Sequence, residues 1–352
     1  MKLHFSPGPS QLYPTVPQHL VSAVRSEIGS ISHRGEAFHT LFSDTVSHLR
    51  QLLSIPTDYQ VVFLSSATEA MERIIEGAVE KSSYHLVNGA FSKLFFTVAQ
   101  DLKKDATAYT FTDSDFDDAR IQVPREAELI CVTQNETSIG MALSGELFSL
   151  LKARYPDKLI AVDIVSSVPY ITLDFSYVDF VFFSVQKGFG LPPGLGVLIM
   201  SPAAIAKVNQ LAEKGKAMGS YHQLTKLLAG AGKFETPTTP NTLGIYLLNN
   251  VAQDMLFKGI HHIRNETEGK GKLLYSFFDN KEGFRPFILE KYRSQTVIVV
   301  EVKKGSKNVI DRLKKQGIIV GSGYKEHKEH HIRIANFPAL SITDVQKLLS
   351  FL

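Results

Sequence analysis

Short apolar runs recur along the chain, set between stretches of helical period. Val61–Leu64 comes first, and Ser83–Asn88, Thr107–Phe111, Leu129–Thr133, Leu159–Asp163, residues 179–183 and Leu195–Met200 follow. Their length and their β-branched and aromatic content suit buried strands. Residues 15–28 and 144–155 have helical period. Residues 37–54 carry Phe38, Leu41, Phe42, Val46, Leu49 and Leu53 on one stripe, the mark of a helix with one buried face. Strands alternating with helices predict an α/β fold, a largely parallel sheet covered by helices. Beyond residue 240 the pattern changes. Helices over 243–258 and 260–279 precede a strand at Ser294–Val302, a helix at Lys307–Gln316, and strands at Ile318–Val320 and His331–Ala335. Ser341 and Asp344 have capping-box spacing for a last helix. The division predicts a large unit over 15–245 and a smaller α+β unit over 246–352, joined by residues 1–14. Residues 5–17, rich in proline and glycine, read as extended chain.

Composition narrows the class. The chain has 352 residues, enough for two such units, and 44% are hydrophobic, enough for a large core. Lysine and arginine total 38 against 35 aspartate and glutamate, and a net charge of +3 argues against nucleic acid as a partner. No apolar run reaches the roughly 18–20 residues of a membrane span, and Met1-Lys-Leu-His-Phe-Ser-Pro-Gly-Pro lacks a signal-peptide core. The single cysteine, Cys131, excludes an intrachain disulfide and a thiolate metal cluster. These features predict a soluble, cytoplasmic protein without a metal.

The candidate chemistry gathers where predicted strands end. Lys187 follows the 179–183 run within Ser184-Val-Gln186-Lys187-Gly188. A lysine at the end of a buried strand is costly unless something uses it, and a desolvated lysine gives up its proton readily. Asp163 ends another strand, 24 residues earlier. A lysine for a Schiff base and a carboxylate beside a pyridine nitrogen are what pyridoxal phosphate needs. Ser65-Ser66-Ala67-Thr68-Glu69 turns from a strand into a helix, with capping-box spacing from Ser66 to Glu69. The same turn offers free N–H groups to an anion. Phe91 and Thr137 also follow strand ends, and sites in parallel sheets lie at the carboxyl ends of strands.

Asp163-x-x-Ser166-Ser167 followed by Ser184-x-Gln186-Lys187-Gly188 resembles the phosphoserine aminotransferase family, within the class V aminotransferases. The resemblance runs from Phe5 to the last helix. It implies a fold-type-I pyridoxal-phosphate enzyme with a mainly parallel seven-stranded sheet, and a homodimer with shared active sites. The implied reaction passes an amino group from phosphoserine to 2-oxoglutarate, a step of serine biosynthesis. The resemblance makes Lys187 the catalytic, cofactor-bearing lysine. Ser66, Ala67, Thr68, Phe91, Thr137, Asp163 and Gln186 become cofactor residues. Ser32-His33-Arg34-Gly35 is similar to the family run whose histidine and arginine help bind substrate phosphate. Asn135-Glu136-Thr137 resembles the motif whose threonine meets the cofactor's O3′. Thr236 lies in a segment resembling the one that reaches the partner's site and binds cofactor phosphate. Arg333 is implied as the clamp on the α-carboxylate, although by strand alternation alone it is a surface arginine. Phe91 takes the place of a stacking tryptophan or belongs to the core; the chain has no tryptophan.

Some positions depart from the family pattern. Thr68 stands where an arginine is usual, and Glu326-His327 where a His-Arg pair is usual. Glu235 stands where asparagine is usual, and either it turns away from phosphate or the local alignment slips. The segment 325–331 reads as charged and flexible, and residues 214–220 as a mobile loop. These departures keep a second reading open: a class V aminotransferase for another amino acid, of alanine, serine or glyoxylate type. A lyase needs a mobile cysteine, and Cys131 lies in an apolar strand pattern. A binding protein that has lost catalysis would have no use for Lys187 and Asp163.

Overall fold

The computed structural model describes residues 2–216 and 219–352, so the expected loop at 214–220 falls partly outside the described residues. Seven strands form the main sheet. Their order across it is Gln60–Leu64, Gly196–Met200, Phe180–Ser184, Leu159–Asp163, Ala127–Thr133, Ser82–Val87 and Asp105–Thr110. Gly196–Met200 runs antiparallel to both its neighbours, and the remaining pairs are parallel. The central strands are buried along their whole length; every residue of Phe180–Ser184 and Gly196–Met200 is inaccessible or nearly so. Burial on both faces explains why they read as continuous apolar runs, not as alternation.

Helices cover the sheet. The expected stripe of Glu36–Leu53 is buried at Phe38, Leu41, Phe42, Leu49 and Leu53, while Val46 is only partly covered. The first helix is shorter than expected, Val16–Arg25, because a left-handed Glu27 breaks the chain into a separate turn at Ile28–Ser30. Three helices escaped the sequence reading, the first of them Ala90–Asp101, which opens on Phe91. Pro202–Glu213 has Ser201 as its cap, with the Ala204 N–H donating to its hydroxyl. Leu224–Ala231 is a short helix set on Ala67–Ala78, where Gly77 leaves room for Leu224.

A second sheet carries the order Leu3–Phe5, Ile318–Ser322, His331–Ala335, Val297–Val302, Phe284–Pro286. Leu3–Phe5 pairs parallel with Ile318–Ser322, so the chain's start lies beside its last third. Phe5, Leu274, Phe278, Ile298, Ile332, Ile334 and Leu348 form a separate core there. The final helix is Ile342–Ser350, and both halves of the Ser341–Asp344 capping box are made. Among the described residues no helix is long and apolar enough to cross a membrane.

Candidate active site

The sheet brings its parallel strands to one edge, and the candidate residues lie just past it. Ser184 ends one strand, and a turn carries the chain through Lys187, closed by the Gly190 N–H donating to the Lys187 carbonyl. Gly188 permits this turn, since a β-carbon there would strike the Val168 carbonyl at 1.8 Å. The Lys187 side chain is 7% exposed and its Nζ donates to the Thr137 hydroxyl at 2.9 Å. Phe91 faces the same ammonium, with the ring centre 5.0 Å from Nζ.

Asp163 ends the neighbouring strand and is 3% exposed. The Val165 N–H donates to its Oδ1 at 2.8 Å. Among the described residues Lys187 and Asp163 form no ion pair within 4.0 Å. Each still acts on the other's charge. Burial drives Lys187 below the ordinary lysine range, with Asp163 and Glu136 drawing it partly back. Burial drives Asp163 above the ordinary carboxylate range, against the Val165 N–H and the Lys187 charge. A protonated pyridine nitrogen beside Asp163 would supply the counter-charge that the buried carboxylate needs, and an aldehyde would take the Lys187 amine in the neutral form that burial favours.

Thr137 reaches Lys187 because Glu136 fixes its loop. Glu136 is fully buried and accepts from the Phe91 N–H, the Ser92 N–H and the Ser138 hydroxyl. One carboxylate thus joins the start of the Phe91 helix to the Thr137 loop, where the helix dipole favours its charge. Gly89 is needed for that approach, as a β-carbon would come within 2.4 Å of the Glu136 side chain.

At the far end of the edge stands the Ser65–Glu69 turn. The Ala67 N–H donates to Ser184 Oγ at 2.7 Å, which ties the turn to the strand that leads to Lys187. Ser66 Oγ caps the helix by accepting from the Glu69 N–H at 3.1 Å. The reciprocal half of the expected capping box is displaced by one residue, with the Glu69 carboxylate accepting from Ser65 instead. The amides of Ser66 and Thr68 have no partner among the described residues. They are left for an anion, and Thr68 itself is exposed. Gln186 Oε1 is buried and likewise unpartnered.

Arg333 is half-buried, not a free surface group. Its Nε donates to the Ser322 carbonyl at 2.7 Å, and one Nη lies 3.4 Å from the Thr137 carbonyl. Tyr324 lies under the guanidinium, 5.4 Å from ring centre to Cζ, and 5.7 Å from the Phe91 ring. Tyr324, not Glu326-His327, is therefore the residue set against Arg333. The expected flexible segment is partly built in: residues 325–327 form one helical turn, and His331 is buried with its ring parallel to His327 at 4.5 Å. Next to this group, Lys93, Lys325 and His327 line a cavity of about 570 Å³.

Three expected residues stay outside the cluster. Arg34 is exposed, and its recorded bond is local, its own N–H to Ser32 Oγ. His33 Nε2 is buried without a partner among the described residues. Thr236 donates to the Thr238 carbonyl at 2.7 Å and touches neither Lys187 nor Asp163. Glu235 Oε1 lies 3.1 Å from His39 Nε2. Cys131 is buried in its strand, and burial raises its thiol well above the ordinary range.

Sequence reasoning passed over the chain's start. Gly8 lies on Lys187, and a β-carbon there would meet the lysine Cε at 3.0 Å. The Ser10 N–H and hydroxyl both donate to the Gln186 carbonyl, and the hydroxyl also to that of Lys187. The Pro-Gly-Pro run was the available signal: a positive-φ glycine where the chain closes on the Lys187 side chain.

The chain matches the aminotransferase class-V family over residues 3–335. It is a class V aminotransferase. Pyridoxal phosphate is the cofactor of that family, and the Lys187–Asp163 arrangement suits it. A phosphoserine aminotransferase from Cytophaga hutchinsonii has 43% identity to this chain and a TM-score of 0.97, covering 99% of this chain and 98% of its own. A phosphoserine aminotransferase from Rhodococcus opacus (strain B4) is 27% identical over 349 residues, 98% of this chain and 92% of its own. An aspartate aminotransferase of subgroup IV from Thermus thermophilus shares the fold at 21% identity, with a TM-score of 0.85 over 99% of this chain and 97% of its own.

Proposed function

We propose that this protein is a cytoplasmic homodimer that transfers the amino group of phosphoserine to 2-oxoglutarate, giving 3-phosphohydroxypyruvate and glutamate, within serine biosynthesis. The observation that carries the reading is the Lys187 amine, buried, lowered in basicity, and held by one hydroxyl beside an aromatic face and a separate buried carboxylate. The 43% identity to the Cytophaga phosphoserine aminotransferase supports the choice of substrate.

The residues then divide the work. Lys187 holds the cofactor, and Asp163 supplies the negative charge for its ring nitrogen. Phe91 presents a ring face, and Ser66, Ala67 and Thr68 receive the phosphate at a helix start, with Gln186 beside them. When bound, pyridoxal phosphate supplies an electron sink for the pair left when the α-proton departs. Lys187 Nζ takes that proton. A neutral amine is required for this, and burial favours the neutral form. Thr137 Oγ1 keeps Nζ in place when the amine is free. Arg333, held by the Ser322 carbonyl and Tyr324, receives the α-carboxylate.

His33 and Arg34 are assigned to the substrate's distal phosphate, and Thr236 to cofactor phosphate. Because these segments do not reach Lys187 within one chain, both roles call for a second copy. A second reading, an aminotransferase for alanine, serine or glyoxylate, draws on exposed Thr68 and Glu326 at positions where the family carries cations. Comparing kcat/KM for phosphoserine, glutamate, alanine and serine in Arg34→Ala and Arg333→Ala separates the two. Loss of a charge-assisted bond costs about 1.5–3 kcal/mol, roughly ten- to a hundredfold in rate. Arg34→Ala is expected to lose that much on phosphoserine alone, and Arg333→Ala on all four. Equal losses in Arg34→Ala on all four substrates would remove it from phosphate recognition. A wild type that prefers alanine or serine establishes the second reading.

A further inference from the structure

We propose that His222 is a positioning residue for the cofactor's phosphate: it masks the charge of Glu69 at the edge of the phosphate turn and ties that turn to the segment carrying Thr236. The inference rests on the reading of Ser66–Thr68 as the phosphate turn.

Glu69 poses a problem for that reading. Its carboxylate folds back over the turn, accepting from the Ser65 N–H and the Ser65 hydroxyl, each at 2.7 Å. A carboxylate in a helix's first turn stabilises the helix. The same charge repels a phosphate that comes to the amides of Ser66 and Thr68. Glu69 cannot escape by taking up a proton. Burial alone would raise its pKa, but the hydrogen bonds from His222 and Ser65 outweigh burial and hold it at about 2.

His222 answers the charge. Its Nδ1 is 2.6 Å from Glu69 Oε1, and its Nε2 is 3.2 Å from Thr238 Oγ1. The side chain is 11% exposed, and the Tyr221 ring stacks on it at 4.0 Å. Its backbone lies at φ +49°, in the left-handed region, where a residue with a β-carbon stays only if its surroundings hold it. The surroundings do so from the same helix: Arg73 Nη1 donates to the Tyr221 carbonyl at 3.0 Å. Thr238 in turn accepts, at its carbonyl, from the Thr236 hydroxyl. One imidazole therefore spans two segments that the cofactor reading places on phosphate, the turn in this chain's own site and the Thr236 segment in the partner's. A plain structural staple would account for the bonds but not for a donor set on the one carboxylate beside free helix-start amides.

The test is titration of the cofactor-stripped protein with pyridoxal phosphate and, separately, with pyridoxal, which lacks the phosphate. Binding is read from the cofactor's absorbance. His222→Leu is expected to weaken pyridoxal phosphate roughly ten- to a hundredfold, the worth of a charge-assisted bond, and to leave pyridoxal within about twofold. His222→Gln, which can donate to Glu69 and still meet Thr238, should recover most of the loss. Adding Glu69→Gln to His222→Leu should recover part of it, because the exposed charge is gone. Should His222→Leu fail to fold, Thr238→Val carries the test, with a loss of about two- to tenfold confined to pyridoxal phosphate. Equal weakening of both ligands, or no recovery in the double variant, overturns the proposal. Borohydride reduction of the loaded wild type checks the underlying site independently. A label on a lysine other than Lys187 overturns that site reading, and the role of His222 with it.

Discussion

The sheet edge around Lys187 and the surface run Ser32–Gly35 differ in how complete they are. At the edge, the lysine, its threonine and the arginine have their supports within the chain. Lys187 has Thr137 and Phe91, Thr137 has the Glu136 loop, and Arg333 has Ser322 and Tyr324. In the surface run, Arg34 is exposed and His33 Nε2 is buried with nothing to bond among the described residues. The first region can be read as chemistry from one chain. The second has meaning only with something else against it. Electrostatics makes the same distinction. A perturbed group counts as functional when it faces a place a ligand can occupy, and as structural when its surroundings are closed.

The sharpest break of this comparison is at Lys187. If the edge is self-contained, Lys187→Ala should lose activity by about a hundred- to ten-thousandfold, the usual worth of a positioned proton-transfer group. Borohydride reduction followed by peptide mass analysis should then find no label, where the wild type carries it on Lys187. Retained activity in Lys187→Ala would dissolve the assignment.

The incomplete region predicts the next effect. Heterodimers are prepared from a Lys187→Ala chain and a Thr236→Val chain. If Thr236 serves the partner's site, one site of the heterodimer has both defects and the other has none. A two-fold assembly exchanges the same segments in both directions, so the heterodimer should show about half the wild-type activity. If Thr236 serves its own chain, the heterodimer has one dead site and one Thr236→Val site. Its activity then stays at half that of the Thr236→Val parent, and sharing is excluded.

What the sequence made legible follows the same line. Lys187, Asp163 and Thr137 were readable because each ends or closely follows a strand, and strand ends in parallel sheets converge. The seven-stranded sheet was readable because doubly buried strands leave unbroken apolar runs. Glu136, Tyr324, His222 and Gly8 act across long separations in the chain, and no local period marks them. Glu136 binds residues 44 and 45 positions earlier, and Gly8 meets Lys187 from near the start of the chain. The polar turn 325–331 looked free because charges dominate it, yet the His327 and His331 rings stack on each other and meet Phe287 at a tilt.

The smallest effect concerns a perturbed group that is sealed. His85 lies in the Ser82–Val87 strand, 1% exposed, with Phe95 and Phe96 set edge-on to its ring and Ser83 Oγ 2.9 Å from Nε2. Burial lowers its pKa from 6.5 to about 3. The folded chain therefore refuses a proton that the unfolded chain accepts below pH 6.5. Stability is unaffected well above that value and falls as pH drops from 6.5 towards 3. Between pH 7.5 and 5 this one residue should remove about 2 kcal/mol. His85→Phe abolishes the titration, so its unfolding free energy should fall by that much less over the same interval, whatever its stability at pH 8. His331, also lowered by burial, to about 4, is common to both proteins and cancels in the difference. The pH profile of kcat/KM should be the same in both, since the His85 ring meets Phe95, Phe96 and Ser83 and no candidate site residue. Denaturant unfolding at pH 7.5 and 5 checks the first point and steady-state kinetics the second. Identical pH dependence of stability would mean that His85 is not the sealed group described here. An altered kinetic profile would mean that the strand interior and the sheet edge are electrically joined, and the boundary between the two kinds of perturbed group would have to be drawn elsewhere.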